Sequence, residues 1–516
     1  MSDPNLLLDL PPPSLPSSHL DRKPRFARPW AVVLVALAVG IVVDVLALHQ
    51  PPGLGLSLGL MVGLVVTASI STVMGRPTPR STWLILVFGL AVAAMVAVRT
   101  SPVLLSLNVG FSAALMGVLA QMHREPRLAD WTVTRYLMQP FATLDGMAVG
   151  SGRLVSHDLR GSFHENQSDR LRSVWIGVLI ATPLLIVFGS LFASADAVFS
   201  DRLDGLFRGI LFGGVFWRLF FVLLITAATA GLWRTMRNPE AAEAVFERRQ
   251  RMDLTTAITA LAMLVALFAF FVATQVVGHN PELERIVDYS TNARRGFFQL
   301  VIVAFLVLNV LLYFDWMTYR DDGRRSTAFD RIAIVLIALT ALVMLSALNR
   351  MRLYVDEFGL TELRFYSTAF MLWLAFVLVW FIGTVLKNRH SVFAVGLFAS
   401  SLLFVLGLNA INPDAFIVQA NWQRHLEGSS FSDRYNSELS LDSMPTLVAI
   451  RDASDDARWC FIESRLTEER ERLATYRSQH GILGDSWAAQ RGRELLGQID
   501  VADANSQPCP DPRSGG

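Results

Sequence analysis

The chain has 516 residues, of which 53% are hydrophobic and only 17% are charged, and its formal net charge at pH 7 is +1. The mean hydropathy of +0.42 is higher than that of ordinary soluble domains. Near-neutral charge argues against a nucleic-acid-binding domain. The sequence also lacks a CxxC pair, an HExxH motif and a phosphate-binding glycine loop, so it predicts no metal site, no cofactor and no catalytic residue.

Long apolar stretches occupy most of the chain between Trp30 and Ile411. About 20 apolar residues in a helix cross a hydrocarbon core of roughly 30 Å, and continuous apolar runs favour helices over a β-barrel. We therefore expect an all-α protein, a polytopic transmembrane helix bundle of about eleven spans with a small extracytoplasmic helical C-terminal domain. The predicted spans are residues 30–49, 53–74, 82–98, 102–122, 173–195, 210–233, 254–277, 296–316, 331–349, 365–386 and 391–411.

Two segments frame the first four spans, which occupy residues 29–122. Residues 1–28 are rich in proline and arginine and predict a disordered cytoplasmic leader before an uncleaved signal anchor, with a cleaved signal peptide as the alternative. Residues 123–172 are the longest connection, and within them Trp131 to Leu144 predicts an amphipathic helix on the cytoplasmic membrane surface. A loop packed against that face of the bundle is the alternative.

The distribution of arginine and lysine predicts the orientation. Most of these residues lie in the leader and in the loops on the same side, which marks that side as cytoplasmic in a plasma membrane. Spans five to eleven fill residues 173–411, and with an odd span count the C-terminal tail, residues 412–505, lies outside the cytoplasm; residues 506–516 form a disordered end. Both cysteines, Cys460 and Cys509, fall beyond Ile411 and would meet an oxidising compartment. We hypothesise a disulfide between them, the alternative being that Cys460 is a small buried apolar residue.

Span two carries glycines at every fourth position, Gly55, Gly59 and Gly63. Such a smooth helix face permits close helix contact, within the bundle or in a homo-oligomer. The same stretch, Gly55 to Gly59, matches the nucleophile-elbow pattern around Ser57. That interpretation is rejected because an elbow needs a strand-to-helix turn, whereas this serine lies in an apolar helix.

Ionisable and amide side chains near the outer ends of the spans are the main candidates for a site. Burying a charge in lipid is costly and points to a functional or paired group. Arg218 is flanked by aromatic residues, and Asp44 lies at a comparable depth in span one. The interpretations are an outward polar cavity for transport, or a structural ion pair with interfacial hydrogen bonds. The candidate intramembrane cluster comprises Asp44, Asp196, Arg218, Gln275, Asn349 and Asn409.

A second set of candidates lies in the outer loops, where the charge rule disfavours arginine. These arginines would form a basic surface for anionic lipids or for an envelope component with phosphate or carboxylate groups. Docking of the acidic tail onto the outer loops is the alternative. The residues concerned are Arg294, Arg295, Arg350, Arg352 and Arg364.

Several pieces of the second half of the chain carry a resemblance: SADAVF from Ser194, DYSTNARRGFFQLV from Asp288, NRMRLYVDEFGLTELRFY from Asn349, and NPDAFIVQANWQRHL from Asn412 with LSLDSMPTLV ending at Val448. Together the sequence resembles a family of bacterial integral membrane proteins known only as a domain of unknown function, of the 4173 type and related to the 4153 type. The resemblance implies a bacterial plasma membrane protein and brings no established activity, cofactor or catalytic residue.

Three classes of function remain open. An envelope-associated transport or scaffold role is favoured, with the lipid bilayer as the one required partner. A membrane sensor would pair the external tail with the cytoplasmic segment. A membrane enzyme acting on lipid-linked substrates is disfavoured, because the first outer loop, His49 to Pro52, is too short to carry catalytic carboxylates.

Overall fold

The structure is a computed structural model that describes residues 29–48, 50–73, 79–122, 147, 150–152, 215–237, 254–277, 289–317, 326–453 and 460–498. Within these ranges all regular structure is helical. The α-helices in chain order are α1 (Pro29–Val43), which continues as a π-helix (Asp44–Leu48), α2 (Leu54–Val73), α3 (Arg80–Val98), α4 (Pro102–Met122), α5 (Val215–Arg237), α6 (Leu254–Val277), α7 (Tyr289–Met317), α8 (Thr327–Phe358), α9 (Glu362–Thr384), α10 (His390–Ile411), α11 (Pro413–Leu426), α12 (Asp433–Ser437), α13 (Met444–Ala453), α14 (Cys460–His480) and α15 (Trp487–Gln498).

Among the described helices, seven are long and apolar enough to cross a membrane: α3, α4 and α6 to α10. Three shorter apolar helices, α1, α2 and α5, coincide with predicted spans one, two and six. The fifth predicted span, residues 173–195, lies outside the described residues. Large apolar side chains face outward along these helices, with Met263, Phe270 and Val379 each at least 68% exposed. Lipid is the solvent in which such surfaces are stable, so the fold is that of a membrane protein.

The chain divides into two compact units. The first contains residues 1–40 and 145–237 and therefore α5 and most of α1. In this unit α1 and α5 approach closely, because a side-chain carbon placed on Gly40 would lie 2.7 Å from both the Thr226 hydroxyl and the Val222 carbonyl. Only glycine allows that approach.

The second unit contains residues 41–144 and 238–516 and holds two groups of apolar helices. Helices α2, α3 and α4 pack around a core that includes Leu64 and Leu115. Helices α6 to α9 pack around a second core that includes Leu261 and Leu336. Helix α10 belongs to both groups, since its Phe393 lies in the core of α6 to α9 and its Leu402 in the core of α2 to α4.

The five helices after residue 412 have a hydrophobic core of their own, which includes Ile417, Leu447, Leu466 and Leu496. They also contact the start of α2, where the amide of Leu54 donates to the carbonyl of Asp485 (2.9 Å) and the amide of Gly55 to that of Leu483 (2.7 Å). Those two bonds satisfy N–H groups at a helix start, which have no acceptor within their own helix.

Helix α11 follows the local sequence pattern except at its first residue. The pattern predicts a helix from Pro413 that stops before Gly428, and α11 ends at Leu426 with Gly428 at a φ of +96°. The Asn412 side chain does not cap α11: the residue is left-handed, and its side-chain amide donates to the Asp442 carbonyl at 2.9 Å.

The predicted outer loop after span nine is also different, because α8 continues without a break to Phe358. No helix-breaking residue occurs before Gly359, which ends α8 at a φ of +76°. The arginines of this stretch therefore lie on a helix that extends beyond its apolar part.

The glycine face of α2 is filled by contacts within the chain. A side-chain carbon at Gly55 would meet the Leu46 carbonyl, one at Gly59 would meet Ala47, and one at Gly63 would meet Met116. Ser57, on the same helix, is buried and its hydroxyl donates to the Ala93 carbonyl of α3 at 2.8 Å. The glycine face of α2 therefore packs against other parts of the same chain, and homo-oligomer formation through this face stays a prediction.

The packing of α9 against α10 yields a testable prediction. A side-chain carbon at Gly396 would lie 2.1 Å from the Trp380 Nε1 atom and 2.5 Å from its Cε2 atom, whereas Gly407 on the same helix has nothing within 4 Å. We expect Gly396→Ala to destabilise the purified protein by about 1–3 kcal/mol through overpacking. Gly407→Ala is the matched control and should be neutral or slightly stabilising. Thermal unfolding in detergent measures both, and equal melting temperatures for the two variants would contradict the prediction.

Candidate functional site

The described residues bring a set of buried and partly buried polar side chains together where the C-terminal helices meet the apolar bundle. We call this set the polar junction; its members are Arg99, Thr100, Ser101, Asn108, Tyr366, Asn409, Asp414, Ser440 and Asp442. It gathers the end of α3, the start of α4, the first turns of α9, the end of α10, the start of α11 and the 3₁₀ turn Leu441–Ser443.

Asp442 lies at the centre of the junction. Its Oδ2 atom accepts hydrogen bonds from the backbone amides of Thr100 (2.8 Å) and Ser101 (3.0 Å), and its Oδ1 atom faces a guanidinium nitrogen of Arg99 at 3.9 Å. A carboxylate at the start of α4 is stabilised by free amide groups and by the helix dipole. Burial nevertheless raises the pKa of Asp442 above its usual range, against the lowering effect of those amides and of Arg99.

Asp414 is the second carboxyl group of the junction and is fully buried. Its Oδ2 atom accepts from the hydroxyl and the backbone amide of Ser440, and the same hydroxyl also contacts Asp442. The Oδ1 atom of Asp414 has no hydrogen-bond partner among the described residues. Burial raises the pKa of Asp414, Ser440 lowers it, and the neighbouring charge of Asp442 raises it further.

Two asparagines connect the junction to the interior of the bundle. Asn108 of α4 and Asn409 of α10 exchange side-chain hydrogen bonds of 2.9 Å and 2.8 Å, and both are buried. The Asn409 carbonyl also accepts from Arg99. Reciprocal amide pairs of this kind hold helices together in lipid, so α3, α4 and α10 share one polar contact.

The C-terminal helices make a second attachment at the turn between α8 and α9. The buried side chain of Asn421 accepts from the Leu360 amide (2.7 Å) and donates to the Leu360 carbonyl (2.9 Å). The Tyr435 hydroxyl accepts from the Glu362 amide at 2.8 Å, and Arg424 donates to the Asp356 carbonyl. Side chains after Ile411 therefore bind the main chain of the preceding turn.

The residues predicted as an intramembrane cluster have different surroundings, and only Asn409 belongs to the polar junction. Asp44 is buried in the π-helix of the second unit, Arg218 is exposed on α5 of the first unit, and Asn349 is exposed on α8. Gln275 lies on α6, but its side chain is not described, and Asp196 lies outside the described residues. Pairing of Asp44 with Arg218 stays a prediction.

The arginines predicted as an outer basic surface are also distributed over several positions. Arg350 and Arg352 are exposed on α8, while Arg294 and Arg295 lie on α7 with side chains that are not described. Arg364 is partly buried: it donates to the carbonyls of Phe358 and Gly359 and lies 4.1 Å from the ring centre of Tyr354. This residue closes the end of α8. Cys460 begins α14 and Cys509 lies outside the described residues, so the disulfide remains a hypothesis.

Sequence reasoning did not single out Arg99, Asp414 or Asp442. Two signals were available. Arg99 is a lone arginine in the short link between α3 and α4, on the side predicted to lie outside the cytoplasm, and Asp414 and Asp442 lie in the motif pieces NPDA and LSLDSM. Neither signal predicts that the α3–α4 link contacts Asp442, which lies more than 300 positions further along the chain. Among the described residues no group of three or more His, Cys, Asp or Glu side chains is arranged to bind a metal ion.

Residues 84–450 match the protein family described as Domain of unknown function (DUF4153). The chain belongs to this family. The match begins in α3, further toward the N-terminus than the predicted resemblance, and it includes every residue of the polar junction. It supports the relation to the 4153 type, while the 4173 type stays a prediction. No curated protein and no solved structure matches the chain.

The pH dependence of stability tests the electrostatics of the junction. Because burial raises the pKa of Asp414 and Asp442, the folded state binds protons more tightly than the unfolded chain. Their contribution to stability is full below the ordinary aspartate pKa of 3.8 and is lost as the pH rises through the raised values. We expect Asp414→Asn to raise the stability at neutral pH by about 1–3 kcal/mol, since a buried charge is removed and the shape is kept.

Melting curves between about pH 5 and pH 8 at constant ionic strength measure this effect. The melting temperature of Asp414→Asn should depend less on pH than that of the wild type. Asp356→Asn, an exposed aspartate on α8, is the control and should follow the wild type. Parallel curves for the wild type and Asp414→Asn would show that Asp414 does not titrate differently on unfolding.

Proposed function

We propose that this protein is a multi-pass protein of the bacterial plasma membrane with about eleven spans, a cytoplasmic N-terminus and an extracytoplasmic C-terminal helical domain, and that it acts as an envelope-associated scaffold. In this role the spans fix the C-terminal helices on the outer face of the membrane as a rigid platform.

The attachment of the C-terminal helices carries this proposal. It uses buried, directional hydrogen bonds at two separate places, Asp442 at the α3–α4 link and Asn421 at the α8–α9 turn. Each bond to a backbone amide also satisfies a group that would otherwise lie unpaired at a helix end. A domain that only trails from the last span would not need such contacts, whereas a platform with a fixed position does.

A transport role is the alternative, and one observation favours it. Asp414 is a fully buried carboxyl group with an unpartnered oxygen at the end of the bundle, and buried ionisable groups at membrane level often mark ion or proton pathways. In a sensor, the same contacts would transmit a conformational change from the C-terminal helices to α9 and α10. Complementation of a deletion strain separates a scaffold from a transporter.

Asn421 provides the sharpest test of the attachment. Asn421→Ala removes both bonds to Leu360 and leaves that amide and carbonyl unpaired, so we expect a loss of about 2–3 kcal/mol. Protease cleavage between α10 and α13 in detergent should become faster. Gln419→Ala, at an exposed position on the same helix, is the matched control and should cleave at the wild-type rate. Equal cleavage of both variants would contradict a rigid attachment.

The scaffold role itself is tested in a deletion strain complemented with these variants at equal expression. We expect loss of the gene to weaken the envelope, measured as survival after osmotic shock and after treatment with wall-active antibiotics. Wild type and Gln419→Ala should restore survival, and Asn421→Ala should not. A deletion strain with an intact envelope but altered ion or solute uptake would overturn the scaffold proposal in favour of transport.

Reporter fusions test the topology. An alkaline phosphatase fused after Gly516 should be active and a green fluorescent protein fused there should be dark, since the C-terminus is proposed to lie outside the cytoplasm. The reverse pattern would refute an odd number of spans with a cytoplasmic N-terminus.

A further inference from the structure

We propose that the polar junction binds one monovalent alkali cation, Na⁺ or K⁺, through the free oxygen of Asp414 and neighbouring hydroxyl groups. This inference is independent of the scaffold role, because it concerns the chemistry of the junction and not the use made of the C-terminal helices.

Several buried oxygen atoms of the junction lack a full set of hydrogen-bond partners among the described residues. Asp414 and Ser101 are both 0% exposed, yet Asp414 Oδ1 has no hydrogen-bond partner among the described residues. The Thr100 hydroxyl also has none among them. The Ser101 and Tyr366 hydroxyls interact with each other and have no further partner among the described residues. Unpartnered buried oxygens are costly and call for a ligand that supplies positive charge.

These oxygens belong to one locality. The amides of Thr100 and Ser101 bind Asp442, and Asp442 shares the Ser440 hydroxyl with Asp414. The charge of Asp414 interacts electrostatically with both Tyr366 and Glu362. The residues that face Asp414 thus come from the α3–α4 link, from α9 and from the 3₁₀ turn.

Among the described residues of this locality, ionisable carboxyl groups outnumber the basic side chains that act on them. Glu362, Asp414 and Asp442 are three carboxyl groups, and the basic side chain that acts on both aspartates is Arg99. Arg364 acts on Tyr435, and its guanidinium donates to the Gly359 carbonyl at the end of α8. A bound cation would balance the remaining charge of Asp414.

The ligand set selects a cation of low charge. Asp442 is already engaged through both oxygens, so one carboxylate oxygen and several neutral oxygens remain. Ca²⁺ in proteins takes six to eight oxygens, with several carboxylates among them, and Mg²⁺ demands octahedral geometry. One carboxylate with hydroxyl oxygens suits a monovalent alkali ion, and soft metals are disfavoured because no described residue of the junction supplies sulfur or imidazole.

Binding is tested on the purified full-length protein by thermal unfolding in NaCl, KCl or choline chloride at equal ionic strength and about pH 7.5. We expect the melting temperature to rise with the logarithm of the Na⁺ or K⁺ concentration and not with choline. Direct binding of ²²Na⁺ should saturate near one ion per chain and should fall as the pH is lowered, because protons compete for Asp414.

Two variants and a control assign the site. Asp414→Asn should abolish the dependence on alkali cations, and Ser101→Ala, which keeps the charge, should raise the half-maximal cation concentration by roughly three- to tenfold. Asp356→Asn should behave as the wild type. Equal melting temperatures in all three salts, stabilisation by CaCl₂ but by neither alkali chloride, or an unchanged response of Ser101→Ala would each overturn the proposal.

Discussion

The interaction on which the architecture depends is the buried Asp442 carboxylate at the start of α4. It binds two main-chain amides and faces Arg99, and the carbonyl of the same residue accepts from Asn412. An aspartate in this position joins three parts of the chain that are distant in sequence: the α3–α4 link, the α10–α11 turn and the 3₁₀ turn. Breaking a buried, paired charge costs more than the pair contributes, so the register of the C-terminal helices against the bundle is strongly specified.

A polar contact is needed here because lipid surrounds the apolar helices and does not favour one arrangement of them over another. Apolar packing joins α2 to α4 and α6 to α9 into two groups, but lipid offers no hydrophobic force that would choose one arrangement of such groups over another. Directional contacts supply the choice. Asn108 with Asn409 and Arg99 with the Asn409 carbonyl lie at the contact of α10 with α3 and α4, so α10 is fixed by hydrogen bonds as well as by packing.

Local features of the chain were predictable and long-range ones were not. The apolar runs predicted helices at ten of the eleven proposed spans. The continuation of α8 past Asn349 was missed because its polar residues look like a loop when a membrane boundary is assumed. The pairing of Asp442 with Arg99 could not be derived, since periodicity reports which face a residue occupies and carries no information on contacts between distant segments. The candidate residues had been chosen by their depth in the spans. Asn409 is the one candidate that belongs to the polar junction, whereas Asp44 and Arg218 do not.

The bonds between the start of α2 and the turn before α15 have a consequence for how the chain is built. Both partners, Leu54 and Gly55 on one side and Leu483 and Asp485 on the other, lie outside the stretch that the family shares. The two segments outside the family match therefore satisfy each other's main-chain groups. Without the last helices, the first amides of α2 would lack acceptors, and without α2 the carbonyls of the turn before α15 would lack donors. The start of α2 and the turn before α15 consequently act as one structural unit, and a change in the length of either segment is expected to require a matching change in the other.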